Sequence, residues 1–171
     1  MAVEIERKFL VAGETWRAQA SRRLRMVQAY LAGPLPGIAG APRCSVRVRI
    51  AGERAWLNIK SLQVGITRQE FEYPIPPDDA EAMLALAGGR IEKVRHFVAI
   101  EGHVFEVDEF LGDNAGLVVA EIELDAEDRR HPAPDWLGRE VSHLPRYYNV
   151  NLVDRPYTRW TPSERAGEDL P

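Results

Sequence analysis

Apolar and polar residues alternate with a period of two through most of the chain. The segment "VEIERKFLV" (3–11) sets the pattern, with Glu4, Glu6 and Lys8 on one parity and Val3, Ile5, Arg7 and Phe9 on the other. On a β-strand these two sets face opposite ways. Seven further segments repeat the signal, at 25–32, 44–51, 55–62, 67–75, 91–100, 103–111 and 117–125, punctuated by Gly, Pro or Asp. Helical patterning is scarcer. "DDAEAMLALAGG" (78–89) predicts a helix capped by Asp78 or Asp79 and closed at Gly88 or Gly89. "TWRAQASRRL" (15–24) predicts a second, and residues 146–153 a third, preceded by a short turn at "DWLG". The Gly/Pro-rich stretch 32–42 reads as a loop joining two strands, and "TPSERAGEDLP" (161–171) as a flexible polar tail after a single domain over 1–160.

One parity of these strands is ionic almost throughout. It carries Glu4, Glu6, Lys8; Gln28, Tyr30; Arg47, Arg49; Trp56, Asn58, Lys60; Arg68, Glu70, Glu72; Lys93, Arg95; Glu106, Asp108; and Glu121, Glu123. An antiparallel sheet often shows water a polar face. Here, however, same-sign doublets recur two residues apart, and close like charges repel unless something of opposite sign lies between them. Eight antiparallel strands are also enough to close a barrel just wide enough for side chains or one small ligand. The expected fold is therefore mainly β: an eight-stranded antiparallel closed tunnel barrel with a charged interior, and flanking helices over its apolar outer face.

Composition narrows the function. The chain of 171 residues has 22 basic and 26 acidic residues and a net charge of −4, so no global field draws it to nucleic acid or membrane, and none is expected as a partner. Its one cysteine, Cys44, excludes an internal disulfide and fits a cytoplasmic protein. Glu4 and Glu6 interrupt the place of a signal-peptide core, and no apolar run approaches the roughly 20 residues of a membrane span.

The interior charges then suggest chemistry. The carboxylates of Glu4, Glu6, Asp108, Glu121 and Glu123 are hard oxygen donors, and without a Cys or His cluster they point to Mg²⁺ or Mn²⁺. The four histidines are scattered, and His96 has the outward parity. Lys8, Arg47, Arg49, Lys60, Lys93 and Arg95 form a complementary set suited to phosphate oxygens. A divalent metal with a phosphate chain implies phosphoryl chemistry, where catalysis is mainly positioning and charge neutralisation.

"EIERK" resembles the ExExK signature of the CYTH domain, also called the triphosphate tunnel metalloenzyme superfamily. "QAYL", "RVRI", "LNIKS", "RQEFEYPI", "IEKVRH", "FEVDEF" and "AEIEL" follow in the family's order, and "EVSHLPRYYN" is similar to the segment after them. The resemblance, nearest to the short bacterial inorganic triphosphatases, implies a metal-dependent enzyme acting on a small triphosphate, with hydrolysis of tripolyphosphate foremost. Thiamine triphosphatase, class IV-type adenylate cyclase and a non-catalytic polyphosphate or nucleotide binder are the alternatives, and a homodimer is left open. By position, Glu4, Glu6, Asp108, Glu121 and Glu123 are expected to hold metal, and Lys8, Arg47, Arg49, Lys60 and Arg95 the phosphates. Glu70 and Glu72 are expected to orient the basic side chains or hold a second metal. Tyr30, or Lys8 with Lys93, is expected from the resemblance to position or deprotonate the attacking water. "LPRYYN" departs from a more lysine-rich form, and Arg146 is expected to take the missing phosphate contact.

Overall fold

The computed structural model describes residues 3–33 and 43–168. The loop expected at 32–42 falls, from 34 onwards, outside the described residues, as do 169–171. The strands are β1 Val3–Val11, β2 Ala20–Ala32, β3 Cys44–Ala51, β4 Arg54–Ser61, β5 Thr67–Ile75, β6 Arg90–Ile100, β7 His103–Phe110, β8 Val118–Glu123 and β9 Leu137–Glu140. Pairing runs β5-β4-β3-β2-β6-β7-β8-β1, and a β5–β1 ladder joins the two ends, so eight antiparallel strands close a barrel as expected. The closing seam is short: Val3, Ile5 and Glu4 pair with Gln69, Thr67 and Arg68. Beyond it β1 turns the same edge to β9, where Phe9 pairs with Glu140. Gly138 makes that approach possible, since a Cβ there would lie 2.8 Å from the Leu10 carbonyl oxygen.

Alternation sends the two faces of each strand to different surroundings. Outward residues Phe9, Val98, Phe105, Val107, Ala120 and Ile122 pack with Trp16 and Trp136 in one cluster. Ala29, Val48 and Ala55 pack under helix α1, Pro77–Leu86. The inward register of β1, β6, β7 and β8 runs past its last charges into Leu10, Ile91, Phe110 and Val119. These meet Val141, Leu144, Tyr147, Leu152 and Trp160 from the C-terminal segment. Hydrocarbon thus fills one end of the barrel interior on that side.

Five local expectations are corrected. Residues 15–24 are not one helix: a 3₁₀ turn at Thr15–Gln19 seats Trp16, and residues 20–24 extend β2. Leu24 and Arg23 pair with Arg95 and His96, so ladder bonds to β6 override the helical pattern. Helix α1 has Pro76 at its N-cap position and no side-chain cap, while Asp78 and Asp79 lie in its first turn, where carboxylates favour the helix dipole. "DWLG" leads into the unexpected strand β9. Residues 161–168, expected within a flexible tail, form helix α3, Pro162–Arg165, with a Thr161–Glu164 capping box. That turn is tied down, because the Tyr147 hydroxyl donates to the Glu164 carbonyl at 2.8 Å. The helix expected at 146–153 is a 3₁₀ turn at Pro145–Tyr147 followed by α2, Asn149–Asp154. No helix among the described residues is long and apolar enough to cross a membrane.

Candidate active site in the tunnel

The barrel encloses a cavity of about 390 Å³ whose walls are the charged strand faces, with residues 61–64 and part of the C-terminal segment alongside. Exposure gives it a direction. Glu72 and Glu106 side chains are 39% and 35% exposed, whereas Lys93 and Asp108 fall to 2% and 0%. The mouth is therefore at the Glu72 and Glu106 end, and the apolar fill lies beyond the lysines.

One wall is acidic. Glu4 and Glu6 share the inner face of β1, Glu70 comes from β5, and Glu123 sits across the β1–β8 ladder as the partner of Glu6. Burial, and then the charges of Glu4, Glu6 and Glu70, push the Glu123 carboxyl above its ordinary pKa. Two cations hold this cluster together. Lys60 lies 2.9 Å from both Glu4 and Glu70, and Arg68 donates to Glu4 at 2.7 Å and to Glu6 at 2.6 Å. Burial raises the Glu70 pKa, but Lys60, a hydrogen bond with Glu4 and the charge of Arg47 together leave the group below its ordinary value. As they stand, no three such side chains among the described residues meet around one point for a metal.

The facing wall is basic. Arg47 and Arg49 project side by side from β3, and the Nε of each is buried without an acceptor. Arg47 reaches a carboxylate only at 3.6 Å, on Glu70, while Arg49 meets Glu72 at 2.6 Å. Burial, with Arg47 next, lowers the Arg49 pKa. These are desolvated cations short of anions, and buried charges of that kind are costly. Glu70 and Glu72 thus support basic side chains, each also accepting from the Asn58 amide.

The deep end is a continuous ion-pair network. Lys8 meets Glu121 at 2.7 Å and Lys93 meets Asp108 at 2.5 Å, while Arg95 spans Asp108, Glu121 and Glu106. Burial, reinforced by Arg95, brings Lys93 down to about 8. Lys8 behaves oppositely: burial works against its charge, but Glu121 and Glu6 leave its pKa raised. Burial raises the Tyr30 pKa, and the Tyr30 hydroxyl accepts from the Gln28 amide at 3.3 Å. Of the groups expected to act on water, only Lys93 moves toward neutrality near physiological pH, and Tyr30 is better suited to donating a hydrogen bond than to losing its proton.

Most expected site residues meet in this cavity: Glu4, Glu6, Lys8 and Tyr30; Arg47, Arg49, Lys60 and Glu70; Glu72, Lys93, Arg95, Glu121 and Glu123. Two do not. Asp108, expected as a metal ligand, lies behind the wall, with its oxygens bonded to Arg95 and Lys93. Arg146, expected on the phosphates, points away to Glu164 at 3.2 Å and lies against Trp160. Sequence reasoning passed over Arg68 and Glu106 as site residues although both have the inward parity. It also missed Tyr148, which lines the cavity and carries no periodic signal. The Tyr148 hydroxyl donates to the Ser142 carbonyl at 2.8 Å and accepts from the Gly65 N–H at 3.1 Å, tying the β4–β5 turn to the C-terminal segment.

The model of the CYTH domain matches residues 2–157. The chain belongs to the CYTH domain family. It is 43% identical over 159 residues to the inorganic triphosphatase of Acetivibrio thermocellus, a match covering 92% of this chain and 97% of that protein. The inorganic triphosphatase of Nitrosomonas europaea is 35% identical over 154 residues, with 88% and 96% covered. A crystal structure of an inorganic triphosphatase superposes with a TM-score of 0.64 at 31% identity, over 90% of this chain and 95% of that one. The resemblance expected from "EIERK" and the ordered strand motifs is thereby borne out, and this CYTH chain carries its charges where the barrel is hollow.

Proposed function

We propose that this CYTH chain is a metal-dependent triphosphatase that hydrolyses inorganic tripolyphosphate, with water, to pyrophosphate and phosphate. The observation that carries the reading is the pair Arg47 and Arg49, whose buried Nε donors lack acceptors and whose wall faces a crowded acidic one. A chain of phosphates satisfies that basic wall bidentately, and the likeness to two inorganic triphosphatases supports the substrate class.

A hard divalent cation, Mg²⁺ or Mn²⁺, fits the carboxylates of Glu4, Glu6 and Glu123, with Glu121 at the edge of the same set. Glu123 supports the fit, since burial and then the neighbouring carboxylates disfavour its charged form. Such an ion neutralises phosphate oxygens when bound. The chain's own residues do the rest. Arg47, Arg49, Lys60 and Arg95 grip the phosphates from the wall, and the buried ends of Lys8, Tyr30 and Lys93 orient water at the inner phosphate. Lys93, at about 8, is the group that takes a proton most readily there.

The direct test incubates the protein with Mg²⁺ or Mn²⁺ and, in parallel, tripolyphosphate, ATP and thiamine triphosphate, and follows phosphate, pyrophosphate and cyclic AMP. Preferred turnover of tripolyphosphate is the expected result. Cyclic AMP from ATP, or tight binding without turnover under either metal, overturns it. Arg49→Ala is expected to weaken tripolyphosphate binding by about 2–5 kcal/mol, the range for truncating one partner of a buried charge pair. Titration calorimetry checks this, and unchanged affinity removes Arg49 from the phosphate wall.

A further inference from the structure

One guanidinium occupies the oxygens that a metal needs. Arg68 is the cross-strand partner of Glu4 in the three-residue seam that closes the barrel. From there its Nε donates to Glu4 Oε2 at 2.7 Å and its terminal nitrogen to Glu6 Oε1 at 2.6 Å. Glu4 and Glu6 lie two residues apart on one face, so a planar fork spans both, which an ammonium on a single point does not do as well. Lys60 adds a second cation on Glu4, but Arg68 alone bridges the pair among the described residues.

We propose that Arg68 is a resident counter-cation: it holds Glu4 and Glu6 while the tunnel is empty, competes with the divalent metal for them, and passes to the phosphates when metal and triphosphate bind together. The inference rests on the metal-dependent reading above and adds a positioning residue to it. Three observations support it. The Arg68 side chain is 14% exposed and lines the cavity, so the same head faces both the carboxylates and the space a phosphate chain fills. Its charge is permanent, because a guanidinium is not deprotonated in a protein. It therefore leaves those oxygens only by exchange for another cation. Finally, Glu4 and Glu6 share the inner face of β1 and Glu123 lies across the ladder from Glu6, so an empty site without Arg68 leaves these carboxylates to repel.

The consequence is coupling. Metal alone must displace Arg68 into a cavity holding no phosphate, whereas metal with triphosphate offers Arg68 a new partner. Metal and phosphate therefore strengthen one another's binding, and by linkage the effect is reciprocal. Without Arg68 the first step loses its competitor and the second loses a ligand.

The experiment measures Mn²⁺ binding to the phosphate-free protein by electron paramagnetic resonance, for the wild type, Arg68→Gln and Arg68→Lys, with melting curves to establish folding. Arg68→Gln is expected to bind Mn²⁺ at least about 5-fold tighter than wild type, within the usual range of coupling between sites. In Mn²⁺-saturated turnover the same variant is expected to show a raised KM for tripolyphosphate. Arg68→Lys falls between, and carries the test if Arg68→Gln does not fold. Equal or weaker Mn²⁺ binding by the variants, when wild type binds the ion, overturns the role of Arg68 and leaves the metal reading standing. Failure of every form to bind Mn²⁺, together with metal-independent turnover, overturns the metal reading itself and this inference with it.

Discussion

Arg95→Ala is expected to destabilise the fold by about 3–5 kcal/mol, the cost of breaking a buried ion pair from one side. Arg95 bonds Asp108 twice, at 2.7 and 2.6 Å, reaches Glu121 at 2.6 Å and also meets Glu106. Truncation leaves Asp108, which is fully buried, with Lys93 alone, and Glu121 with Lys8 alone. Two carboxylates and two lysines then balance formally, but the fork that fixed their geometry is gone. Arg95→Lys restores charge without the fork and should recover only part of the stability. Chemical denaturation reads both variants, and a loss below about 1 kcal/mol for Arg95→Ala would mean that water relaxes into the gap. A double change to apolar residues, Arg95→Met with Asp108→Leu, separates packing from charge. Replacing a buried pair in full is often close to neutral, but this change also strips the buried Lys93 of its carboxylate contact at 2.5 Å, so stability should return only in part and phosphate binding should not return.

The same network shows what strand parity reveals and where it stops. Parity placed Glu4, Glu6, Arg47, Arg49, Lys60, Arg95 and Glu121 on one interior surface, because a two-residue period leaves a strand no other way to sort its side chains. It assigns a side and not a depth. Asp108 and Glu106 have the same parity, yet Asp108 lies behind the wall while Glu106 is 35% exposed at the mouth. Arg68 was legible as inward-facing, but its role depends on the β5–β1 seam that sets it across from Glu4, and a local pattern carries no information about which distant strand closes a barrel.

Segments without a strong period were the least legible. Residues 20–24 have an exposed, arginine-rich sequence that suits a helix surface, and only the ladder to β6 makes them a strand. β9 has four residues and is fixed by pairing with β1 and by Gly138. The end of the chain did contain a readable signal, since Thr161 and Glu164 have the spacing of a capping box. Its polar composition hid that signal, and with it the partner that draws Arg146 away from the cavity.

Glu6→Gln should abolish metal-dependent turnover, lowering kcat/KM by about 10³-fold or more, while leaving the melting temperature almost unchanged. The first half follows from the proposed role of Glu6: an amide keeps the shape but loses the charge, and charge stabilisation by a bound metal is worth several kcal/mol, with each 1.36 kcal/mol being tenfold in rate. The second half follows from the geometry. Glu6 gives up an ion pair to Arg68 at 2.6 Å, but Arg68 retains Glu4 at 2.7 Å. At the same time Glu123 loses one of the charges that push its carboxyl upward, so a repulsion disappears along with an attraction. The two changes act in opposite directions on the same wall. Steady-state assays across a Mg²⁺ titration, paired with thermal melts, check both halves. Full activity in the variant removes Glu6 from the metal set, whereas lost activity with a melting temperature lowered by more than about 5 °C would assign Glu6 to holding the barrel seam instead.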